Sequence, residues 1–408
     1  MKHVWILNHY AQEPGGPGGT RHYSLARHLP AYGWSASIIA SSTEHNSGRQ
    51  RLQPGEGLRL QTYDGVPFLW LRGSSYKGNG FDRIRNMLGY TRSVLKPESV
   101  QQLKRPDAII GSSVHPLAAW AGRRLARRYG VPFLFEVRDL WPQTLIDMGR
   151  LSRGSPAAYV LRVFEKSLYR SASKIIVLLP KAGDYIEPLG IERDKIVWVS
   201  NGVEIDSPGM GEAAVPTNDK FTLMYFGAHG GANGLDNVIR AMRIVQDDPA
   251  GANIVLRLIG DGPLKPSLIA LAKDLELSTV RFEGSVAKRE IPKLAASADA
   301  FVFNLIDAPV FKYGISSNKL FDFMAAGHPT IFCCDSFNNP IAESEGGITV
   351  PPGDSTKLAS AILDLARLPR EKRMAMGTAA RRHVEQKYSF AYLAGKLAAA
   401  LDASVTAP

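Results

Sequence analysis

Ser316-Ser317-Asn318-Lys319-Leu320-Phe321-Asp322-Phe323-Met324-Ala325-Ala326-Gly327-His328-Pro329, followed by the apolar run 330–334, decides the fold. Ser317 or Asn318 supplies an N-cap, residues 320–326 continue as a helix, and Gly327, His328 and Pro329 close it before a buried strand. A helix handed directly to a buried strand is the repeating unit of a parallel α/β sheet. Working outward, the apolar runs 221–226, 254–259, 280–282 and 300–305 read as further strands. A helix bearing Leu235, Val238, Ile239, Met242 and Val245 lies between the first two.

The first half of the chain shows the same alternation. Buried strands are expected at 3–7, 37–40, 108–110, 133–137, 174–179 and 196–199, with a helix over 116–129 that turns Leu117, Ala121 and Leu125 to one face. Residues 204–219, with Pro208, Gly209, Gly211 and Pro216, lose this periodicity and read as a linker. The expected organisation is therefore two doubly wound parallel-sheet domains, 1–203 and 220–387. A terminal helical pattern within 388–408 is expected to pack back on the first domain. Open parallel sheets bind ligands beyond the carboxyl ends of their strands, so two of them suggest a cleft between domains.

With 408 residues, 45% hydrophobic and 21% charged, the composition excludes a disordered or fibrous chain. No apolar run reaches the roughly 18 residues that would span a bilayer, and no signal peptide is read. Cys333 and Cys334 are adjacent and too few for a zinc site, so a reducing cytoplasm is expected. Residues 1–200 hold 28 Lys and Arg against 15 Asp and Glu, whereas the remainder holds 21 against 23. A charge of this sign confined to one half points to a polyanionic partner, nucleic acid or an anionic membrane surface. Residues 74–96, with Lys77, Arg83, Arg85, Arg92 and Lys96 among Phe81, Ile84, Leu88, Val94 and Leu95, read as a basic amphipathic helix suited to such a membrane.

Two loops carry the candidate chemistry. After the first strand, Gly15, Gly16, Pro17, Gly18, Gly19, Thr20 and Arg21 lead into a helix, an arrangement in which backbone amides approach an anion. It begins like a dinucleotide fingerprint, but Arg21 stands where the last glycine belongs. A structural Gly-Pro turn is the other reading. In the second domain Lys319 occupies a helix first turn, the wrong sign for the dipole unless an anion sits there. Asp322, three residues on, can accept hydrogen bonds from a diol such as ribose, or simply pair with Lys319 on an exposed face.

These residues resemble a family. SSNKLFDFMAAGHP (316–329), FEVRDLWPQ (135–143), NHYAQEPGGPGGTRHYSLARHL (8–29), NGVE (201–204) and IGDGP (259–263) are similar to glycosyltransferase family 4 of the GT-B superfamily. Within it they are closest to the branch with N-acetyl-L-fucosamine transferases of bacterial O-antigen and capsule assembly. The resemblance implies a retaining transferase without a metal or other cofactor. Its donor would be a UDP-N-acetyl amino sugar, its acceptor a polyprenyl-diphosphate-linked saccharide, and its place the inner face of the cytoplasmic membrane. The absence of any two aspartates two positions apart agrees with a metal-free diphosphate site.

Carried onto this chain, the resemblance implies that Asp322 holds the ribose, while Gly314 stands where a sugar-binding Glu is usual. Ala228 and Asn233 stand where Arg and Lys usually meet the diphosphate. Gly227, Lys319 and the amides around Ser316, Ser317 and Asn318 are then expected to receive it, supplemented by Gly18, Gly19, Arg21 or His229. His115 in SSVHP is the match to the active-site histidine that contacts the donor sugar, and Arg138 is expected to face the same site. Three other readings stay open: a UDP-sugar epimerase of the same architecture, a catalytically silent nucleotide-sugar-binding partner subunit, and a nucleic-acid-binding protein. The last has charge but no interleaved aromatic platform.

Overall fold

β1 (Lys2–Leu7) is buried along almost its whole length, as a central parallel strand must be, and the first sheet grows outward from it on both sides. The computed structural model describes residues 1–16, 19–44, 48–74, 81–113, 115–206, 209–211 and 220–406. The strands that join β1 are β2 (Trp34–Ser41), β3 (Leu58–Tyr63), β4 (Val66–Leu71), β5 (Ala108–Ser112), β6 (Phe133–Val137), β7 (Lys174–Val177) and β8 (Ile196–Trp198), in the order β3-β4-β2-β1-β5-β6-β7-β8. Every pair is parallel except β3 with β4. That antiparallel edge hairpin is absent from the sequence reading. Its turn is Asp64-Gly65, both at positive φ, which is a recognisable hairpin signal, but the strand it joins to β4 is too polar to read as buried.

The helices of this unit are α1 (Arg21–His28), α2 (Phe81–Leu95), α3 (Pro97–Val100), α4 (Pro116–Tyr129), α5 (Gln143–Asp147), α6 (Pro156–Ser171) and α7 (Gly183–Ile186). α4 packs against α2 on one side and α6 on the other. The second sheet contains β9 (Phe221–Phe226), β10 (Ile254–Ile259), β11 (Val280–Glu283), β12 (Ala300–Asn304), β13 (Thr330–Cys333) and β14 (Gly347–Val350). It runs β11-β10-β9-β12-β13-β14, parallel throughout. Its helices are α8 (Leu235–Asp247), α9 (Lys265–Asp274), α10 (Ile291–Ala295), α11 (Asn318–Ala326), α12 (Pro340–Ser344), α13 (Ser355–Arg367) and α14 (Arg370–Tyr388).

The chain divides into Met1–Asn201 with Phe390–Pro408, and Gly202–Ser389. The last helix, α15 (Phe390–Val405), belongs to the first unit because Leu393, Leu397 and Leu401, one turn apart, enter the same core as Leu25, Leu29 and Trp34. Each such leucine stabilises by about 1.5–3 kcal/mol. Of the segment read as a linker, Met210 is buried and its carbonyl accepts from Arg381 of α14 at 2.7 Å. In each sheet the strand order reverses beside the first strand, between β1 and β5 and between β9 and β12. The carboxyl ends of these strands are the places for a site.

Candidate functional site

In the second unit the loop after β9 and the start of α11 meet around one ammonium. Lys319 Nζ donates to the Tyr225 hydroxyl at 2.8 Å and to Asn233 Oδ1. The Tyr225 hydroxyl and Asn233 Nδ2 each donate to the Ala228 carbonyl at 2.8 Å, which closes a ring of hydrogen bonds. The ammonium also lies 4.8 Å from the centre of the Tyr225 ring. All these partners are neutral, no carboxylate is ion-paired with Lys319 among the described residues, and burial lowers its pKa to about 7. A partly buried cation held by neutral dipoles is the arrangement that an incoming anion completes.

Gly227, at φ +145°, lies against the aliphatic part of Lys319. Gly260 is required for a different reason: a Cβ there would stand 2.0 Å from the Gly227 carbonyl oxygen. His229 follows on the same loop, fully buried, and neither ring nitrogen has a hydrogen-bond partner among the described residues. Burial and then the nearby Lys265 charge lower its pKa, so the ring is neutral. Lys265, which sequence reasoning missed, is already committed to the carbonyls of Gly260 and Glu283 at 2.8 and 2.7 Å.

Ser317 is the extended residue before α11 and its side chain makes no cap bond, so Asn318 and Lys319 open the helix with free amides. Ser316 precedes them, partly buried. The loop leading there is pinned by Asn338: its Oδ1 accepts from the Ile315 amide at 2.7 Å and its Nδ2 donates to the Ile315 carbonyl at 3.1 Å. Gly314 sits at φ +101°, where any side chain is strained, so the missing glutamate is matched by a backbone built for glycine. Asp322 is buried, and both its oxygens accept from Lys288 Nζ, at 2.7 and 2.6 Å. The expected ribose acceptor therefore already has a cation over it. Lys288 had no signal in the sequence beyond being a lysine.

In the first unit the structure corrects the expectation for Arg21. Its guanidinium is buried and donates to Glu136 Oε1 at 2.9 Å, to the Val199 carbonyl at 2.8 Å and to the Ser200 carbonyl. These bonds occupy each of its nitrogens and leave it no part in a diphosphate site. Glu136 also accepts from Ser112 Oγ and lies 2.6 Å from His22 Nε2. Burial alone would raise Glu136, but His22 and Arg21 hold it well below the usual carboxylate range. Gly18 lies outside the described residues, and Gly19 is exposed.

His115 is corrected likewise. Its Nδ1 accepts from the Ala118 amide at 3.3 Å, capping α4, and its Nε2 lies 2.6 Å from His9 Nδ1. His9 Nε2 in turn lies 2.6 Å from Asn86 Oδ1. The capping bond fixes one tautomer: His115 donates through Nε2 to His9, which donates through its own Nε2 to Asn86. Both nitrogens of His115 are thus used within the fold, and burial with the Arg83 charge lowers its pKa to about 3. The ring is a neutral link, with no nitrogen left for a sugar. Arg138 follows β6, its amide donating to Ser113 Oγ at 3.1 Å, and its guanidinium has no hydrogen bond or ion pair among the described residues.

Comparison with known proteins places both units. Residues 16–202 match the family model described as glycosyl transferase 4-like domain, and residues 220–367 match glycosyl transferases group 1. The chain is 25% identical over 303 residues to a probable glycosyltransferase, WbjE, of Pseudomonas aeruginosa, covering 70% of this chain and 72% of that one. Among solved structures it resembles Anabaena Alr3699/HepE in complex with UDP and glucose, with a TM-score of 0.66, 16% identity and coverage of 98% and 99%. It also resembles WaaG, a glycosyltransferase involved in lipopolysaccharide biosynthesis, with a TM-score of 0.68, 15% identity and coverage of 97% and 98%. With family models matched across both units and the GT-B fold shared by its structural neighbours, the chain belongs to the GT-B glycosyltransferases.

Proposed function

We propose that this glycosyltransferase moves an N-acetyl amino sugar from a UDP-sugar to a lipid-linked saccharide, with retention and without a metal, in the synthesis of a bacterial surface polysaccharide. The observation that carries the reading is the partly buried Lys319 ammonium, held by Tyr225 and Asn233, neutral partners alone, in the first turn of a helix whose N-cap side chain makes no cap bond. A diphosphate leaving group is the anion that this arrangement stabilises as negative charge develops on it. Ser316, Ser317 and Asn318 supply amides, Gly227 allows close approach, and His229 offers a ring nitrogen that has no hydrogen-bond partner among the described residues. Asp322 with Lys288 meets the ribose. The names of the relatives, WbjE and WaaG, support the biosynthetic setting, and the UDP complex of HepE supports the nucleotide.

In the step itself the bond between the sugar anomeric carbon and the diphosphate oxygen breaks. The acceptor hydroxyl oxygen bonds to the same face of that carbon, and its proton passes to the departing phosphate. The protein then needs no nucleophile; it positions reactants and stabilises charge.

Thermal shift and calorimetry with UDP, GDP, ADP and a panel of UDP-N-acetyl sugars in EDTA test the reading. Ligand at about 100 times its dissociation constant stabilises by about 2.7 kcal/mol. A UDP-selective shift in EDTA is expected, with product formation only when a lipid-linked acceptor is added. A flat response to every nucleotide overturns the donor assignment. Turnover without an acceptor favours the epimerase.

A further inference from the structure

Asn304, the last residue of β12, is buried at 1% exposure after the apolar Phe301, Val302 and Phe303. An amide in that place costs free energy unless its polar atoms are bonded. Its side-chain bonds all run to the turn after β9 and the helix that follows. Asn304 Nδ2 donates to the carbonyls of Asn233 and Gly234, both at 2.9 Å, and Oδ1 accepts from Asn237 Nδ2 of α8 at 3.0 Å. Two residues on, the Ile306 amide donates to the Ala232 carbonyl at 3.1 Å. Three successive carbonyls, 232–234, are therefore held by the carboxyl end of β12. The approach is close: a Cβ on Gly234, which stands at φ +51°, would lie 2.7 Å from Asn304 Nδ2.

The residue so held is the one whose side chain meets the ammonium. Asn233 Oδ1 accepts from Lys319, and its Nδ2 donates to the Ala228 carbonyl at 2.8 Å. Lys319 comes from another element, α11, and a lysine stem is a flexible four-carbon chain, so the ammonium stands where its acceptors stand. One acceptor, the Tyr225 hydroxyl, is carried by the central strand β9. The other is carried by a loop with Gly230, Gly231 and Gly234, whose backbone has many paths open to it. The bonds from β12 select one of them. Asn237 sets which end of the Asn304 amide faces the carbonyls, because its own Nδ2 can only donate.

We propose that Asn304 is a positioning residue of the anion site: by holding the backbone of Asn233 and Gly234 it fixes Asn233 Oδ1, and through it the place at which the Lys319 ammonium meets the donor's diphosphate. The inference rests on the assignment of Lys319 to that diphosphate. A cation set in place beforehand gives its whole interaction to the anion, whereas a mobile one spends part of it on being ordered. β12 thus takes part in donor binding with an uncharged side chain. Asn304 also borders the first turn of α8, so the test has to separate an anchored helix from an aimed ammonium.

The first readout is Lys319 itself. Its ε-carbon, assigned in NMR spectra with Lys319→Arg, is expected to titrate near pH 7 in the free protein. Displacing Asn233 Oδ1 removes a partner of the charged form, so Asn304→Ser is expected to titrate at lower pH than the wild type, as is Asn233→Ala. The second readout is UDP affinity by calorimetry. It is expected to fall about tenfold in Asn233→Ala, about fivefold in Asn304→Ser, and no more than about tenfold in the double variant, since each change releases the same ammonium. Urea denaturation accompanies each variant. Lower stability with the wild-type titration and the wild-type UDP affinity makes Asn304 an anchor of α8 alone and overturns the proposal. So do losses that multiply in the double variant. If Asn304→Ser does not fold, Asn237→Ala, which removes the donor to Asn304 Oδ1 and leaves Asn304 in place, decides by the same two readouts. A wild type that binds no UDP overturns the diphosphate assignment, and the Lys319 titration, made without ligand, still decides whether Asn304 sets the ammonium.

Discussion

One ammonium holds both oxygens of a buried carboxylate: Lys288 Nζ lies 2.7 and 2.6 Å from the two oxygens of Asp322. The pair joins the segment after β11 to α11, and Lys288 is its more exposed partner. Lys288→Met strands a buried carboxylate and is expected to destabilise the fold by about 1–3 kcal/mol. Asp322→Asn keeps the shape, loses the charged acceptor, and is expected to weaken UDP binding about tenfold, about 1.4 kcal/mol. Urea denaturation and calorimetry with UDP read the two effects. If Asp322→Asn binds UDP as the wild type does, the ribose contact is elsewhere.

Lys319 gives nucleotide binding a pH dependence of defined sign. Its pKa in the free protein is about 7, lowered by burial, whereas a bound diphosphate requires the charged form. Binding therefore takes up a proton, and UDP affinity is expected to fall as pH rises above about 7, by up to about tenfold per pH unit. Titrations between pH 6.5 and 8.5 in buffers of different ionisation enthalpy measure both effects. A flat profile removes Lys319 from the diphosphate. The same lowered pKa makes the free protein gain stability as pH rises from about 7 toward the ordinary lysine range, and Lys319→Met should lack that gain.

Arg21 is a test of architecture against ligand binding. Arg21→Met leaves the buried Glu136 without its cation and should cost about 3–5 kcal/mol in denaturant unfolding. Donor affinity, measured on the fraction that remains folded, should not change. A variant that keeps its stability and loses UDP binding would return Arg21 to the site.

Glu165 titrates in the opposite direction. Burial raises its pKa to about 8, against about 4.5 for an exposed glutamate, so the folded chain holds a proton that the unfolded chain releases. Its contribution to stability is present below about pH 4.5 and is lost as pH rises to about 8. Glu165→Gln retains partners for Tyr169 and Tyr185 and should be more stable than the wild type at pH 8.5, by roughly 2–4 kcal/mol. Equal pH profiles for the two proteins would show that the carboxyl is ionised in the fold.

The central strands were legible because β1, β6 and β9 are buried and largely apolar, and burial on both faces leaves a continuous run in the sequence. The edge strands β3 and β14 are half-exposed and mixed, and no such run marks them. In the site, Lys319 was legible from a purely local conflict between its charge and its position in the helix. Arg21 was misread because its partners, Glu136 and the carbonyls of Val199 and Ser200, lie 115 to 179 residues away. His9 and Asn86 were missed for the same reason: a histidine chain that links three segments has no spacing to recognise.

Asn338 bonds both the amide and the carbonyl of Ile315, so one side chain does for the loop before α11 what a neighbouring strand does for a sheet. The backbone path is thereby separated from the identity of the residues along it. The side chain at Ser317, which makes no cap bond, can then change while the α11 amides that the proposed function assigns to the diphosphate stay where they are. Across a lineage, such a clamp lets the loop's side chains drift at low cost to its backbone path. Asn338 itself, whose two bonds hold the backbone of Ile315, is then the position least able to vary.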